Sequence, residues 1–421
     1  MTEKQKALQE LYYANIALSE RCIQERRMNQ ARELLATCPA DFRNWEWGRL
    51  EYLCNTDRMT LKQGGQFARF AGNDGTIATC SVDGRLSLAN LATGETIKTL
   101  AEKGGYQMDM AVSAAEPRRV IAGIEGRVAV WDAATGEDVF SFDEPKPQGD
   151  KLRHAVAISA DGKWGAALNQ DGLVRVWDLA ARKDAFSVKP VQARLALLAF
   201  TPSGAQLLVA SADMTGEGMA GQFDVWDTAT GIKARTCQLP APLMVKSMTF
   251  SPDGAWLAIG TNGGLLVWGT AKWAQVRALK TTVGSARAVA FSPDGGLLAA
   301  GNQTGELKVW ETKSGQERFV ANAHLGFIST VAFTTDGAHV ITASSDRTAK
   351  LWDATSGKEL VTLRGHNGAI LDLAVDGSGK RLATASYDGT TKIWDIGADP
   401  RLREMTAGAY CAAKGYLAGA V

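Results

Sequence analysis

The strongest constraint on this 421-residue chain is a tryptophan that keeps returning in register. It stands at Trp131, Trp177, Trp226, Trp268, Trp310, Trp352 and Trp394, at intervals of 46, 49, 42, 42, 42 and 42 residues. Counting 42 back from Trp131 reaches Ala89, inside "DGRLSLANLATG", which is the sentence "DRTAKLWDATSG" with Ala-Asn in place of Trp-Asp. A second mark, an apolar residue closing a short strand, recurs at Phe70, Val112, Ile158, Phe200, Phe250, Phe291, Phe333 and Val375. In six of the eight units it precedes the Trp position by 19 residues. Turn sequences follow it: "SPDG" at Ser251–Gly254 and Ser292–Gly295, "SADG" at Ser159–Gly162 and "TPSG" at Thr201–Gly204. Pro and Asp-Gly pre-set the backbone of such turns. Each unit therefore reads as four short strands, and repeats of this kind bury their apolar faces against one another.

A period of about 40–45 residues with four strands and a terminal Trp-Asp is the signature of a propeller blade. Residues 58–400 resemble the WD-repeat family. That resemblance implies an all-β, eight-bladed WD-repeat β-propeller preceded by a short α-helical segment, with seven blades as the alternative if the Trp-less first unit packs irregularly. In the family, the blade Trp belongs to a hydrogen-bonded set with a His, a Ser or Thr, and an Asp. Carried over to this sequence, one set is His324, Ser344, Asp346 and Trp352, and another is His366, Ser386, Asp388 and Trp394. Each His lies 28 residues before its Trp. His, Ser and Asp together also suggest a hydrolase triad. A nucleophile, however, needs an accessible base and an oxyanion hole, whereas these groups are expected inside a blade, so a structural role is preferred. The other units carry Asp83, Glu125, Asp171, Asn262 and Thr304 at the Asp position and lack the His, which leaves apolar packing to hold them.

A propeller must close its ring, and "RMTLKQ" (Arg58–Gln63) lies where an outer strand is needed. It is expected to pair with the last blade near Lys392–Asp395. Residues 1–57 do not share the repeat. Leu8, Leu11, Tyr12, Leu18 and Cys22 form an apolar stripe at helical spacing, and Ala31, Leu34, Leu35 and Cys38 form a second. Trp47, Leu50 and Cys54 share a face of a third helix that starts near Pro39 and Asp41. The segment reads as a helical cap or a docking hairpin. Its "YYANIALSE…CP…WEW" resembles the region ahead of the propeller in some bacterial serine/threonine kinases, although no kinase domain accompanies it here. No role is assigned to the tail, residues 401–421.

Little else in the chain points to chemistry. A net charge of +1 argues against a general nucleic-acid or anionic-membrane binder. No run of 18 apolar residues exists and the N-terminus has no signal-like stretch, so a cytoplasmic protein without a membrane span is expected. Six unpaired Cys fit a reducing compartment. "GEGMAG" (Gly216–Gly221) matches a dinucleotide fingerprint but has no helix after it, and "GSGK" (Gly377–Lys380) stands at a turn. His154 and His339 are too far apart in the pattern to share a metal, so neither a metal nor a cofactor is expected. Eight-bladed quinone-dependent alcohol dehydrogenases use their central channel, which keeps an enzyme or small-ligand sensor as the alternative function.

The expected function is a non-catalytic, monomeric scaffold for a protein or peptide partner. In the family, the face carrying the His and Asp turns meets partners. The corresponding positions here include Tyr106, Met108, His154, Arg194, Lys246, Arg287, Phe327 and Tyr387, a mixture of aromatic, Met and basic residues suited to an interface. Asp143–Asp150 and Ala212–Gly221 add loop length on the same face, and such excess marks the working side of repeat folds.

Overall fold

The structure is a computed structural model, and it describes residues 2–25, 28–54, 57–71, 75–102, 109–124, 127–143, 155–168, 173–189, 196–212, 221–240, 243–281 and 284–397. The repeat marks become eight four-stranded antiparallel sheets. In the seventh the strands are Ile328–Phe333, His339–Ser344, Ala349–Asp353 and Glu359–Leu363. First strands of successive blades touch one another all the way round, blade 8 against blade 1 included, so these strands form the inner wall of a closed ring. The Trp-less first unit is a complete blade from Gly65 to Ala101, and the count is eight rather than seven.

Local chemistry explains why the same blade forms repeatedly. In the turn after the first strand, the Ser251 hydroxyl donates to Asp253 (2.5 Å) and accepts the Trp256 N–H (2.9 Å), while Gly254 takes a φ of +71° that other residues resist. After the third strand, Asp353 accepts the N–H groups of Thr355 (3.1 Å) and Ser356 (2.7 Å). Asn90 does the same for Ala92 (2.7 Å) and Thr93 (3.3 Å), so the Trp-less unit keeps its turn. The pairing of third and fourth strands slips by one residue at the Trp, as between Leu351 and Trp352, and at Ala89 the same slip occurs without the indole. The core lies between blades. Trp352 packs on Ala288, Ala299, Leu307 and Val309 of blade 6, and Trp394 packs on blade 7.

Ring closure is made by Met59–Leu61, which pairs antiparallel with Ile393–Thr391 as the outer strand of blade 8, as expected from the sequence. The Arg58 N–H adds a bond to the Ile393 carbonyl at 2.8 Å.

Ahead of this strand, α1 (Glu3–Gln24), α2 (Met28–Ala36) and α3 (Trp45–Cys54) build a core of their own from Tyr12, Ile16, Cys22, Ala31, Leu35, Trp47, Leu50 and Cys54. The stripe expected on α1 needs correction. Its inner face is Tyr12, Asn15, Ile16, Ser19 and Cys22, whereas Leu11 and Leu18 are nearly half exposed. Polar residues enter this face because they find partners: Asn15 donates to Thr37 Oγ1 (3.0 Å) and Ser19 to the Ala31 carbonyl (3.4 Å). The helices are tied to the ring by charge. Asp57 meets Arg32 of α2 at 2.8 Å and the Lys392 ammonium of blade 8 at 3.0 Å. Lys392 is buried and also donates to Thr60 Oγ1 at 2.6 Å. The five described cysteines, Cys22, Cys38, Cys54, Cys80 and Cys237, are buried and unbridged.

Candidate partner-binding face and the tryptophan networks

The buried networks shape the loops of the candidate face. In blade 7 the Trp352 indole donates to Thr342 Oγ1 (3.0 Å), and the same oxygen lies 2.7 Å from His324 Nε2. His324 Nδ1 lies 3.1 Å from Asp346 Oδ2. Since a carboxylate only accepts, Nδ1 carries the proton and Nε2 accepts from Thr342. Thr348 donates to Asp346 at 2.6 Å, and the Leu325 N–H reaches Asp346 Oδ2 at 3.2 Å. Blade 8 repeats the set. Trp394 and His366 share Thr384 Oγ1 at 2.8 Å each, and His366 meets Asp388 at 3.1 Å.

The hydroxyl between His and Trp is therefore a threonine, and the assignment of Ser344 and Ser386 to that place is corrected. Trp352 lies opposite Val340, and Thr342, two residues on, shares its face beside the indole N–H. Ser344 sits at the strand end, where it accepts the Asp346 N–H (3.1 Å); Ser386 accepts the Asp388 N–H (3.2 Å) and donates to the Gly368 carbonyl (2.9 Å). A legible signal was present, because Thr stands ten residues before Trp352 and Trp394. Blades 3, 4 and 5 put Ala167, Val209 and Ile259 at this place. Among the described residues, the indole N–H groups of Trp177, Trp226 and Trp268 are correspondingly buried without a hydrogen-bond partner.

Electrostatics follow the geometry. Burial alone would raise Asp388, but hydrogen bonds from His366, Thr390 and the Asn367 N–H outweigh it and hold the carboxyl well below the usual carboxylate range. Asp346 is held low in the same way by His324 and Thr348. Burial lowers the His366 imidazole despite Asp388 beside it. The imidazoles are fully buried and the hydroxyls on their Nε2 atoms belong to the buried Thr342 and Thr384, so the sets pin blades rather than present a nucleophile to solvent.

Each His is followed by a residue and a Gly, and close approach demands that Gly. A Cβ on Gly326 would stand 2.3 Å from Ser345 Oγ, and one on Gly368 2.6 Å from the Asp388 nitrogen. The entry loop thus folds down on the Asp turn and turns its neighbours outward. Leu325 is 86% exposed there and Tyr387 63%. Arg287 of blade 6 is exposed, and its guanidinium carbon lies 4.2 Å from the centre of the half-buried Phe327 ring of blade 7. Lys246 is exposed at the start of blade 5. Ser329 gives its hydroxyl to the carbonyls of Ala343 (3.1 Å) and Ile370 (2.7 Å) and faces between blades. Tyr106, Met108, His154, Arg194, most of the two loop insertions, and the tail at 401–421 lie outside the described residues. Sequence reasoning missed Leu325, whose only signal is its place after the network His.

Inner-strand carboxylates join neighbouring blades. Asp372 of blade 8 pairs with Arg69 of blade 1 and accepts the Ala68 N–H (3.2 Å), and Asp109 of blade 2 accepts the Val156 N–H of blade 3 (3.1 Å).

A closed ring of four-stranded blades, each centred on a tryptophan position, defines a repeat propeller. The family described as WD40 (WD domain, G-beta repeat) matches residues 235–269, 274–311, 315–353 and 357–395. Each match starts on or just before the outer strand of one blade and ends one residue past the Trp of the next, the same offset by which Met59–Leu61 completes the last blade. A 73-residue stretch is 37% identical to the periodic tryptophan protein 2 homolog of Mus musculus, spanning 17% of this chain and only 8% of that protein. The crystal structure of the computationally designed Ika8 protein matches 81% of this chain and 98% of its own, with a TM-score of 0.63 and 20% identity, a likeness of fold. Residues 235–395 thus carry WD40 repeats, and the fold as a whole is an eight-bladed β-propeller. No described helix is long and apolar enough to cross a membrane.

Proposed function

We propose that this protein is a non-catalytic cytoplasmic scaffold, monomeric by itself, that binds a protein or peptide partner on the face carrying the His–Asp turns. WD40 propellers commonly serve as protein-interaction scaffolds, and one observation carries the reading here. Arg287 lies stacked on Phe327 across two blades, on the same face as the protruding Leu325 and Tyr387. Arginine and aromatic side chains held in place before binding lose little entropy on docking and suit hot spots. The helical segment 1–57 acts as a cap anchored by Asp57, and nucleic acid is not a ligand of this reading. The test is affinity capture from the native cell to identify the main partner, followed by binding of purified variants. Arg287→Ala with Phe327→Ala should weaken binding at least tenfold, about 1.4 kcal/mol, with an unchanged melting temperature. Undiminished binding, with loss on deleting residues 1–57, would move the site to the helices.

A further inference from the structure

Blade 1 keeps the backbone of a Trp blade without its rings. Ala89 lies opposite Ile77, as Trp352 lies opposite Val340, and carries the same register slip toward the outer strand. Thr79 stands ten residues before Ala89, the spacing of Thr342 from Trp352 and of Thr384 from Trp394. The His is missing as well. Leu61 pairs with Thr391 as Leu363 pairs with Ala349, and from there to the inner-strand mark the chain takes 9 residues (61 to 70) in blade 1 but 12 (363 to 375) in blade 8. The loop that would carry an imidazole is thus three residues shorter. Where the two rings would sit, the seam between blades 8 and 1 holds a cavity of about 260 Å³, lined among others by Leu61, Gln63, Thr79, Ala89, Gly94 and Thr96.

We propose that this cavity is a binding socket for the indole side chain of a tryptophan carried by a partner peptide. Two features select that occupant. Leu61 and Ala89 give a buried apolar floor in the place where seven other blades hold an indole of their own. Thr79 Oγ1 donates to the Gln63 carbonyl at 2.9 Å, which leaves its lone pairs to accept an indole N–H as Thr342 and Thr384 do. Thr60, Lys62 and Gln63 are exposed around the mouth, so a ring can enter while its backbone stays outside. The socket lies on the seam of the ring and not on the Arg287–Phe327 face, so it stands independently of the function proposed above.

The full-length protein is titrated calorimetrically with Gly-Trp-Gly, with the analogue whose indole is replaced by benzothiophene, and with free indole. Saturable 1:1 binding of Gly-Trp-Gly is expected. Ala89→Trp, which supplies its own indole, should weaken it at least tenfold and raise the melting temperature; Ala89→Leu does the same service if the larger ring misfolds. Thr79→Val should weaken Gly-Trp-Gly severalfold and leave the benzothiophene analogue, which has no N–H, unchanged. Arg287→Ala with Phe327→Ala should bind the probe normally. The socket is overturned if Gly-Trp-Gly does not bind, if filling residue 89 leaves binding intact, or if the face variant abolishes it. Binding of free indole without the tripeptide overturns the peptide source.

Discussion

A tryptophan in this propeller does two separable things, and blades differ in which they use. Every blade Trp fills space between sheets, but Trp352 and Trp394 also donate to a threonine that orients an imidazole. Trp177 fills space with its N–H unpartnered. Replacement by Phe removes the donor from both kinds of site, so the two sites should respond unequally. Trp352→Phe leaves Thr342 Oγ1 without the donor it accepts inside the buried set and should cost about 1–3 kcal/mol more than Trp177→Phe, the usual penalty for an unmade buried hydrogen bond. Urea unfolding of the two variants measures the difference, and equal costs would show the network to be energetically idle. The His366 pair also makes stability depend on pH. Unfolded imidazole takes a proton near its ordinary value of about 6.5, whereas burial lowers the value in the fold. Below that pH the unfolded state binds more protons, so stability is full above it and falls as the pH drops through it. Asp388, held low, adds a second loss below the carboxylate range of about 4. Unfolding free energies at several pH values should show a slope near neutrality that His366→Gln flattens.

The short strand Met59–Leu61 shows how much an element can do with few residues. Its ladder completes the outer edge of blade 8, and the residues just before it hold the charge cluster that fixes the helices. Lys392 is buried in the middle of the strand it covers and has Asp57 as its counterion. A buried ammonium deprived of its partner costs about 3–5 kcal/mol. Removing residues 1–63 therefore does two kinds of damage, leaving Lys392 uncompensated and Thr391–Asp395 as an open edge. Open edges pair with other chains. The truncated protein should melt lower and associate in size-exclusion chromatography, and a monomer with unchanged melting would mean that the ring does not depend on this strand.

At the scale of the whole molecule, closure turns eight weakly different units into one rigid platform. Inner strands touch around the entire ring, and Asp372 and Asp109 tie neighbouring strands across it. Side chains from different blades are thereby held in fixed relation, which is why Arg287 and Phe327 can form one surface feature although 40 residues separate them. Neither side chain is part of the buried networks. The double alanine variant is expected to lose partner binding without losing stability, whereas Trp352→Phe should lower stability first.

How much of this was legible in the sequence follows from the range of the interactions. Blade number follows from spacing, because a repeated strand length fixes a repeated register, whereas the network His, Asp and Trp and the ring-closing strand came with the resemblance to the WD-repeat family. The Thr342 hub was mistaken for Ser344 because both lie on one face of the strand; the Thr ten residues before each network Trp was its signal, and cross-strand pairing shows that it sits under the indole. The inner face of α1 was misread for a related reason. Leu8, Leu11, Tyr12, Leu18 and Cys22 at helical spacing suggested one stripe, but contact with α2 and α3 keeps Tyr12 and Cys22 inside and leaves Leu11 and Leu18 on the neighbouring face. The exposure of Leu325, the stacking of Arg287 on Phe327 and the cavity beside Ala89 depend on loops and blades distant in the chain. The sequence by itself determined the ring, since its period forces each unit to bury its face against the next. Only the tertiary structure decided which groups point outward and where the ring leaves room, because those follow from the packing of blades against one another.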